Sequence, residues 1–282
     1  MISIGNFFFQ YRNFLFLFLY LALFIPSPDI FKQSQFGMYY YYYPIILGLI
    51  ITVTGQLIRG ATIGLAYIIR GGKNRQVYAE ELVTQGIFNH CRNPLYVGNI
   101  LMLVGIGILS NSLIYITIFI PFFLLIYHAI VLAEENFLLK KFGDSFTSYC
   151  GRVNRWVLNV NGLSKTFSTM KFKWKRWILK EYNTQYVWLS GITLILLFKY
   201  PQLTGYDTTK RNILLAIILP LLLLQYLLVR YLKNTEAKAA FIQKLNSYSF
   251  IFPDFFKYRT IRYNKSKSGR IIASKVLRFV IS

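Results

Sequence analysis

The sequence predicts an all-α, polytopic membrane protein with about six transmembrane helices. Three observations predict it. Of 282 residues, 55% are hydrophobic and 18% aromatic, more apolar than a soluble domain. Windows of about 20 mostly apolar residues, enough to cross about 30 Å of hydrocarbon, recur along the chain. The 32 Lys and Arg, set against 10 Asp and Glu, cluster in alternate connecting segments, as cytoplasmic loops do.

The first span is expected over 7–25, "FFFQYRNFLFLFLYLALFI". It ends in "PSPD" with no small-residue cleavage site, so it reads as a retained helix rather than a signal peptide. The run "MYYYYYP", Met38 to Pro44, is an aromatic belt at the outer headgroups. The second span is expected over 44–69. The third and fourth, 94–110 and 113–132, are separated only by Asn111 and Ser112, so 94–132 should be a tight helical hairpin. The fifth is expected over 186–201 and the sixth over 212–232, where Pro220 predicts a kink.

Arg70, Lys73, Arg75 and Arg92 fall in one connecting segment, and Lys140, Lys141, Arg152, Arg155 and "KFKWKRWILK" in another. Six spans put both segments on one side, so both termini should be cytoplasmic. The chain is then organised as N-terminal membrane helices over 1–75, a motif-bearing core over 76–160 and a basic cytoplasmic linker over 161–185. A C-terminal pair of spans over 186–233 and a basic cytoplasmic tail over 234–282 complete it. A net charge of +22 suits the anionic face of a bilayer, and no nucleic-acid partner is expected. Two cysteines, Cys91 and Cys150, with His90 and His128, predict neither a disulfide framework nor a metal site.

Chemistry-bearing residues gather at the lip of the hairpin. Counted outward from its turn, Asn93 and Glu134 differ in depth by only about 6 Å. Arg92, Glu134 and Glu135 would then meet at the membrane boundary, where ionisable groups need partners or a purpose. The alternative is that Arg92 snorkels and Glu134 opens an amphipathic surface helix. Pro94 suits the first turn of a helix. Gly98, one turn on, leaves room for a ligand or a neighbouring helix. Tyr96 either offers a ring and a hydroxyl to a cationic ligand or packs on a neighbour. Deeper in the membrane, Arg59, with Gln56 one turn before it, either lines a substrate cavity or has a buried structural partner. His90 is an interface residue or a pocket contributor, and Cys91 reads as packing rather than nucleophile.

"LVTQGIFNHCRNPLYVGN", Leu82 to Asn99, is followed by "EENFLLKKFGDSFTSYCGRVNRW", Glu134 to Trp156. In order and spacing the pair resembles the isoprenylcysteine carboxyl methyltransferase and phospholipid methyltransferase superfamily of integral membrane enzymes. The resemblance implies S-adenosylmethionine as cofactor, held in a cytoplasmic pocket at the ends of the hairpin. The implied cofactor-binding residues are Leu82, Val83, Phe88, His90, Arg92, Asn93, Pro94, Tyr96, Gly98, Glu134 and Glu135. Leu82 and Val83 would lie along the adenosine, Phe88 would line its pocket, and Glu134 would hold the amino end. Arg92 and Glu134 are the expected catalytic residues, with Arg59 and His128 as substrate contacts. Asn93 stands where many relatives carry His, and "YHAIVLAEE" lacks the Arg that holds a prenylcysteine carboxylate, leaving His128 as the nearest cationic candidate. The expected activity is methylation of a lipidic or isoprenoid-linked acceptor drawn from the bilayer. Phospholipid N-methylation, a reductase of related fold and a non-enzymatic membrane scaffold are the alternatives.

Overall fold

The computed structural model describes residues 1–66 and 77–251. The last residues expected in the second span, the basic residues Arg70, Lys73 and Arg75, and the tail from residue 252 lie outside them. The chain divides into two compact units, Met1–Val229 and Arg230–Ser282. The first unit holds the hairpin and both motif stretches.

Among the described residues all regular elements are helical: α1 (Ile2–Ala22), α2 (Gln33–Phe36), α3 (Tyr42–Leu65), α4 (Pro94–Leu109), α5 (Ile120–Phe142), α6 (Asp144–Arg152), α7 (Leu163–Thr169), α8 (Trp174–Lys199) and α9 (Thr208–Ile251). A π-helical turn, Tyr115–Phe119, leads into α5. Three stretches are long and apolar enough to cross a membrane: Tyr42–Leu65, Tyr115–Phe142 and Thr208–Glu236. Pro94–Leu109 is a shorter apolar helix. α9 runs through Pro220 without a break in helical assignment, and α8 begins twelve residues before the expected start of the fifth span.

α3 and α4 pack with their backbones nearly touching, because glycines recur at seven-residue spacing on both. A Cβ at Gly48 would lie 2.7 Å from the Gly105 carbonyl, and one at Gly55 would lie 2.6 Å from the Gly98 carbonyl. In lipid no hydrophobic force drives helices together, so close van der Waals approach across small residues supplies the attraction. α1 meets α5 in the same way, Gly5 lying against the Ala129 backbone and the Ala133 side chain.

The far end of the hairpin is clamped. Asn111, at a left-handed φ of 50°, accepts the amide protons of Ile30 and Phe31 at 3.1 and 2.8 Å and donates to the Phe31 carbonyl at 2.9 Å. Leu113 N–H donates to the Pro28 carbonyl at 3.0 Å, and Ile114 N–H to Ser27 Oγ at 2.9 Å. The expected two-residue turn is therefore tied to the loop after α1.

Residues 161–185, expected as a linker, carry α7 and the first turns of α8. Two of these residues cap α3: the backbone N–H of Lys173 donates to the Gly64 carbonyl at 3.0 Å and the Arg176 guanidinium, through Nη2, to the same oxygen at 2.6 Å. A guanidinium at a helix C-terminus meets the negative end of its dipole. Trp177 and Phe172 then lie against Gly60 and Gly64, so α3 and α8 run antiparallel.

Candidate active site

The polar knot before α4 is a turn of 3-10 helix, Gly86–Asn89, and then four irregular residues, His90 to Asn93. Gly86 has a φ of 64°, a conformation that disfavours any residue with a Cβ. The chain after α6 lies alongside it. Arg92 N–H donates to the Asn154 carbonyl at 2.9 Å, and Asn159 N–H to the His90 carbonyl at 2.9 Å. His90 is buried and both ring nitrogens are engaged, Nδ1 with the Asn159 carbonyl and Nε2 with Thr166 Oγ1, each at 2.8 Å. Its ring therefore pins the 159–166 segment to the knot. Cys91 is fully buried, with its thiol 3.5 Å from the Arg155 carbonyl. Burial pushes the thiol up, outweighing the lowering by the Asn93 backbone and Arg92, so the residue packs as a neutral thiol.

Both halves of the motif meet at this knot. Tyr149 donates its hydroxyl to the Phe88 carbonyl at 2.6 Å, and burial raises its pKa, which keeps the donor protonated. Leu82 packs beside Phe146, Tyr149 and Val153. Gly143, at a φ of 52°, turns α5 into α6 and so aims Tyr149 back at the knot.

The acidic pair divides its work. Tyr96 donates its hydroxyl to Glu134 Oε1 at 2.7 Å, and its ring meets Tyr127 edge-on at 5.5 Å. Glu135, largely buried, holds Arg155 through Nε at 3.0 Å and Nη2 at 2.8 Å. Glu135 also accepts from Asn93 Nδ2 at 3.2 Å, and the same amide reaches the Arg155 carbonyl at 3.3 Å. Arg92 Nε is buried, finds no hydrogen-bond partner among the described residues, and lies 3.7 Å from Glu135 Oε1. Asn93 thus does with an amide what needs only a donor. Pro94 opens α4 at its first position, as expected.

The other residues singled out from the sequence stand outside these hydrogen bonds. Gly98 faces α3, where a Cβ would meet Arg59 Cγ at 2.5 Å and the Gly55 carbonyl at 2.7 Å. Arg59, 5% exposed, forms a bidentate pair with Glu181, Nε to Oε2 at 3.0 Å and Nη2 to Oε1 at 2.7 Å. It also donates to Asn99 Oδ1 and, at 3.4 Å, to Thr184 Oγ1. His128 lies with its ring 6.2 Å from Trp156. Val83 is half-buried in the loop between α3 and the knot.

Sequence reasoning missed Arg155 and Glu181. Arg155 stood inside the second motif stretch but counted there only as loop charge. Glu181 is the sole acid between Asp144 and Asp207; a lone acid in a basic run was the available signal for the partner of Arg59. Among the described residues no group of three His, Cys, Asp or Glu could hold a metal.

Comparison with known proteins bears on this convergence of RNPLY and paired acids at the lip. Residues 43–145 match the phospholipid methyltransferase family. The matched segment runs from α3 to the start of α6 and so contains the hairpin and both carboxylates. Two curated relatives share part of the chain. A cobalt-zinc-cadmium resistance protein of Cupriavidus metallidurans is 37% identical over 95 residues, 33% of this chain and 41% of its own. A nickel-cobalt-cadmium resistance protein of Alcaligenes xylosoxydans xylosoxydans is 34% identical over 117 residues, 41% of this chain and 52% of its own. The chain therefore spans about half or less of the length of these relatives. No solved structure matches it.

Proposed function

We propose that this chain is an integral membrane methyltransferase that uses S-adenosylmethionine and methylates a lipophilic acceptor held in the bilayer. The observation that carries the reading is the paired network Tyr96–Glu134 and Asn93–Glu135–Arg155, with Arg92 beside it, at the lip of an apolar hairpin inside the family-matched segment.

The donor set suits this cofactor. It carries a carboxylate, an amino group and a sulfonium. Arg92 has a buried Nε with no hydrogen-bond partner among the described residues, so it can take the carboxylate by a charge-assisted bond. Glu134 would hold the amino end, and the rings of Tyr96 and Phe88 suit a cationic sulfur and an adenine. Leu82 and Val83 would flank the adenosine. The bound cofactor supplies a methyl group on a positively charged sulfur, and transfer needs alignment more than a nucleophilic side chain. Glu135, through Arg155 and Asn93, fixes the backbone from which Arg92 and Tyr96 project. Tyr96 keeps the Glu134 carboxylate oriented.

In this reading the chain crosses the bilayer six times, both termini are cytoplasmic, and the lip faces the cytoplasm. A soluble methyl donor then meets a membrane-dissolved acceptor there, with His128 close to the acceptor head. The acceptor is isoprenoid-linked or lipidic. The description of the matched family favours a phospholipid amine as the second reading.

Binding of S-adenosylmethionine to detergent-purified protein by calorimetry is the first test. Arg92→Ala and Glu134→Ala should each weaken it at least about tenfold while the helical circular dichroism is kept. Incubation with methyl-labelled cofactor and a native lipid extract should then place label in the lipid phase. No binding by the wild-type protein in native lipid would remove the proposal.

A further inference from the structure

One buried side chain takes no part in the lip network. Gln56, in α3, is 8% exposed, and neither its Oε1 nor its Nε2 meets a hydrogen-bonding partner among the described residues. An amide buried without a partner in a membrane span is costly, because lipid offers no substitute. Its direction is set by the helix period. Gly55 faces α4 and Gly60 faces α8; at about 100° per residue Gln56 points between them, into the seam shared by α3, α4 and α8.

The surroundings of that seam are polar. One turn toward the lip, Arg59 is tied to Asn99 of α4 and to Glu181 and Thr184 of α8. The contacts of Gly64 with Phe172 and of Gly60 with Trp177 set the antiparallel register, which brings Gln56 level with Glu181 and leaves Trp188 about 10 Å deeper. Trp188 is itself buried, and its indole Nε1 has no hydrogen-bond partner among the described residues. Among the described residues the seam therefore presents an unmet acceptor and an unmet donor at the depth of Gln56, with the unmet Trp188 donor about two turns deeper. On α4, Asn99 lies one turn below Tyr96, so this depth is about 5–10 Å inside the lip.

We infer that the α3/α4/α8 seam at Gln56 binds a hydrogen-bonding group, an amide or a hydroxyl, borne on the apolar part of the membrane-dissolved acceptor. This rests on the proposed function and narrows its substrate class. An acceptor with a plain hydrocarbon next to its methylated head leaves the seam unmet. One with a second polar group about one to two turns deeper satisfies it. The Arg59–Glu181 pair is already closed on itself and serves as the wall that positions the seam.

The test uses full-length protein in phosphatidylcholine nanodiscs, with hexadecanamide, 1-hexadecanol and hexadecane as matched probes and thermal unfolding as the readout. Stabilisation by a ligand reports its affinity for the folded state. The wild type should be stabilised by the amide and the alcohol but not by the alkane. Gln56→Met, of similar volume, should unfold at an unchanged or higher temperature without probe and lose about tenfold in apparent affinity for the amide. Gln56→Asn should keep part of the preference. Equal responses of the wild type to amide and alkane, as expected if a water satisfies Gln56, would overturn the inference. So would an unaltered amide response in Gln56→Met. Calorimetric S-adenosylmethionine binding on the same samples separates the two ideas. If the cofactor binds and the probes do not discriminate, only the seam is lost. If the probes discriminate and the cofactor does not bind, the methyltransferase reading falls instead.

Discussion

Glu135 organises the lip through three neighbours: the Arg155 fork, the Asn93 amide and the more distant Arg92. Removing it leaves two guanidinium groups close together without a counter-charge. Glu135→Ala should therefore cost about 2–4 kcal/mol. Arg155→Ala, whose side chain is 34% exposed, should cost only about 1 kcal/mol. Chemical unfolding in micelles gives the order, and equal costs would mean that Glu135 is not the centre of the network. Cys91 and Tyr149 make a second prediction. Both are acids whose neutral form the fold prefers, since burial raises each pKa. Below the ordinary thiol range both states are protonated and pH has no effect through them. Above about pH 8.5 the unfolded chain sheds protons that the folded chain keeps, so stability falls as pH rises. Cys91→Ala should flatten the fall of the unfolding midpoint between about pH 8.5 and 10. The lip was readable because its residues are short-range signals: a proline at a helix start, an Arg–Asn before it, and two acids at matching depth. His90 was not, since its partners Asn159 and Thr166 lie about 70 residues on, in a segment with no periodic pattern.

Helices α3 and α4 are held by backbone approach, which gives glycine substitutions a sharp ranking. Gly55→Val would press its side chain against the Gly98 carbonyl and Met102 amide, backbone that cannot give way. It should cost about 1–3 kcal/mol or more. Gly151, with nothing within 4 Å, should accept Ala with no loss. Thermal unfolding of the two variants beside the wild type is the measurement. The Arg59–Glu181 pair predicts non-additivity. Either Arg59→Met or Glu181→Leu alone strands a buried charge and should cost about 3–5 kcal/mol, whereas the double variant should recover most of it. The seven-residue glycine spacing on both helices was visible in the sequence and marks this seam. The pairing of Arg59 was not, because 122 positions separate it from Glu181 and helix register cannot be read across such a gap. The start of α8 was obscured for a related reason: Trp174–Lys180 is basic, so hydropathy excludes it, yet it docks on the end of α3.

At the scale of the whole molecule, the all-helical architecture of the described residues was legible from apolar windows alone, and the placement of Lys and Arg in alternate connecting segments predicts an orientation. Reporter fusions at either end of the chain and after Arg92 should all report the cytoplasm, while one at Asn111–Ser112 should report the opposite side; a split between the two ends would break the six-span proposal. The tie between Asn111 and residues 30–31 has a mechanical consequence. With one end of the hairpin anchored to the loop after α1, α4 can move away from α5 only as a lever about that anchor. Its 16 residues rise about 24 Å, so a tilt of about 10° moves Tyr96 and Asn93 by about 4 Å while Leu109 scarcely shifts. Motion is amplified where the acids sit and damped where the fulcrum lies, so any gate in this hairpin opens on the side of Glu134.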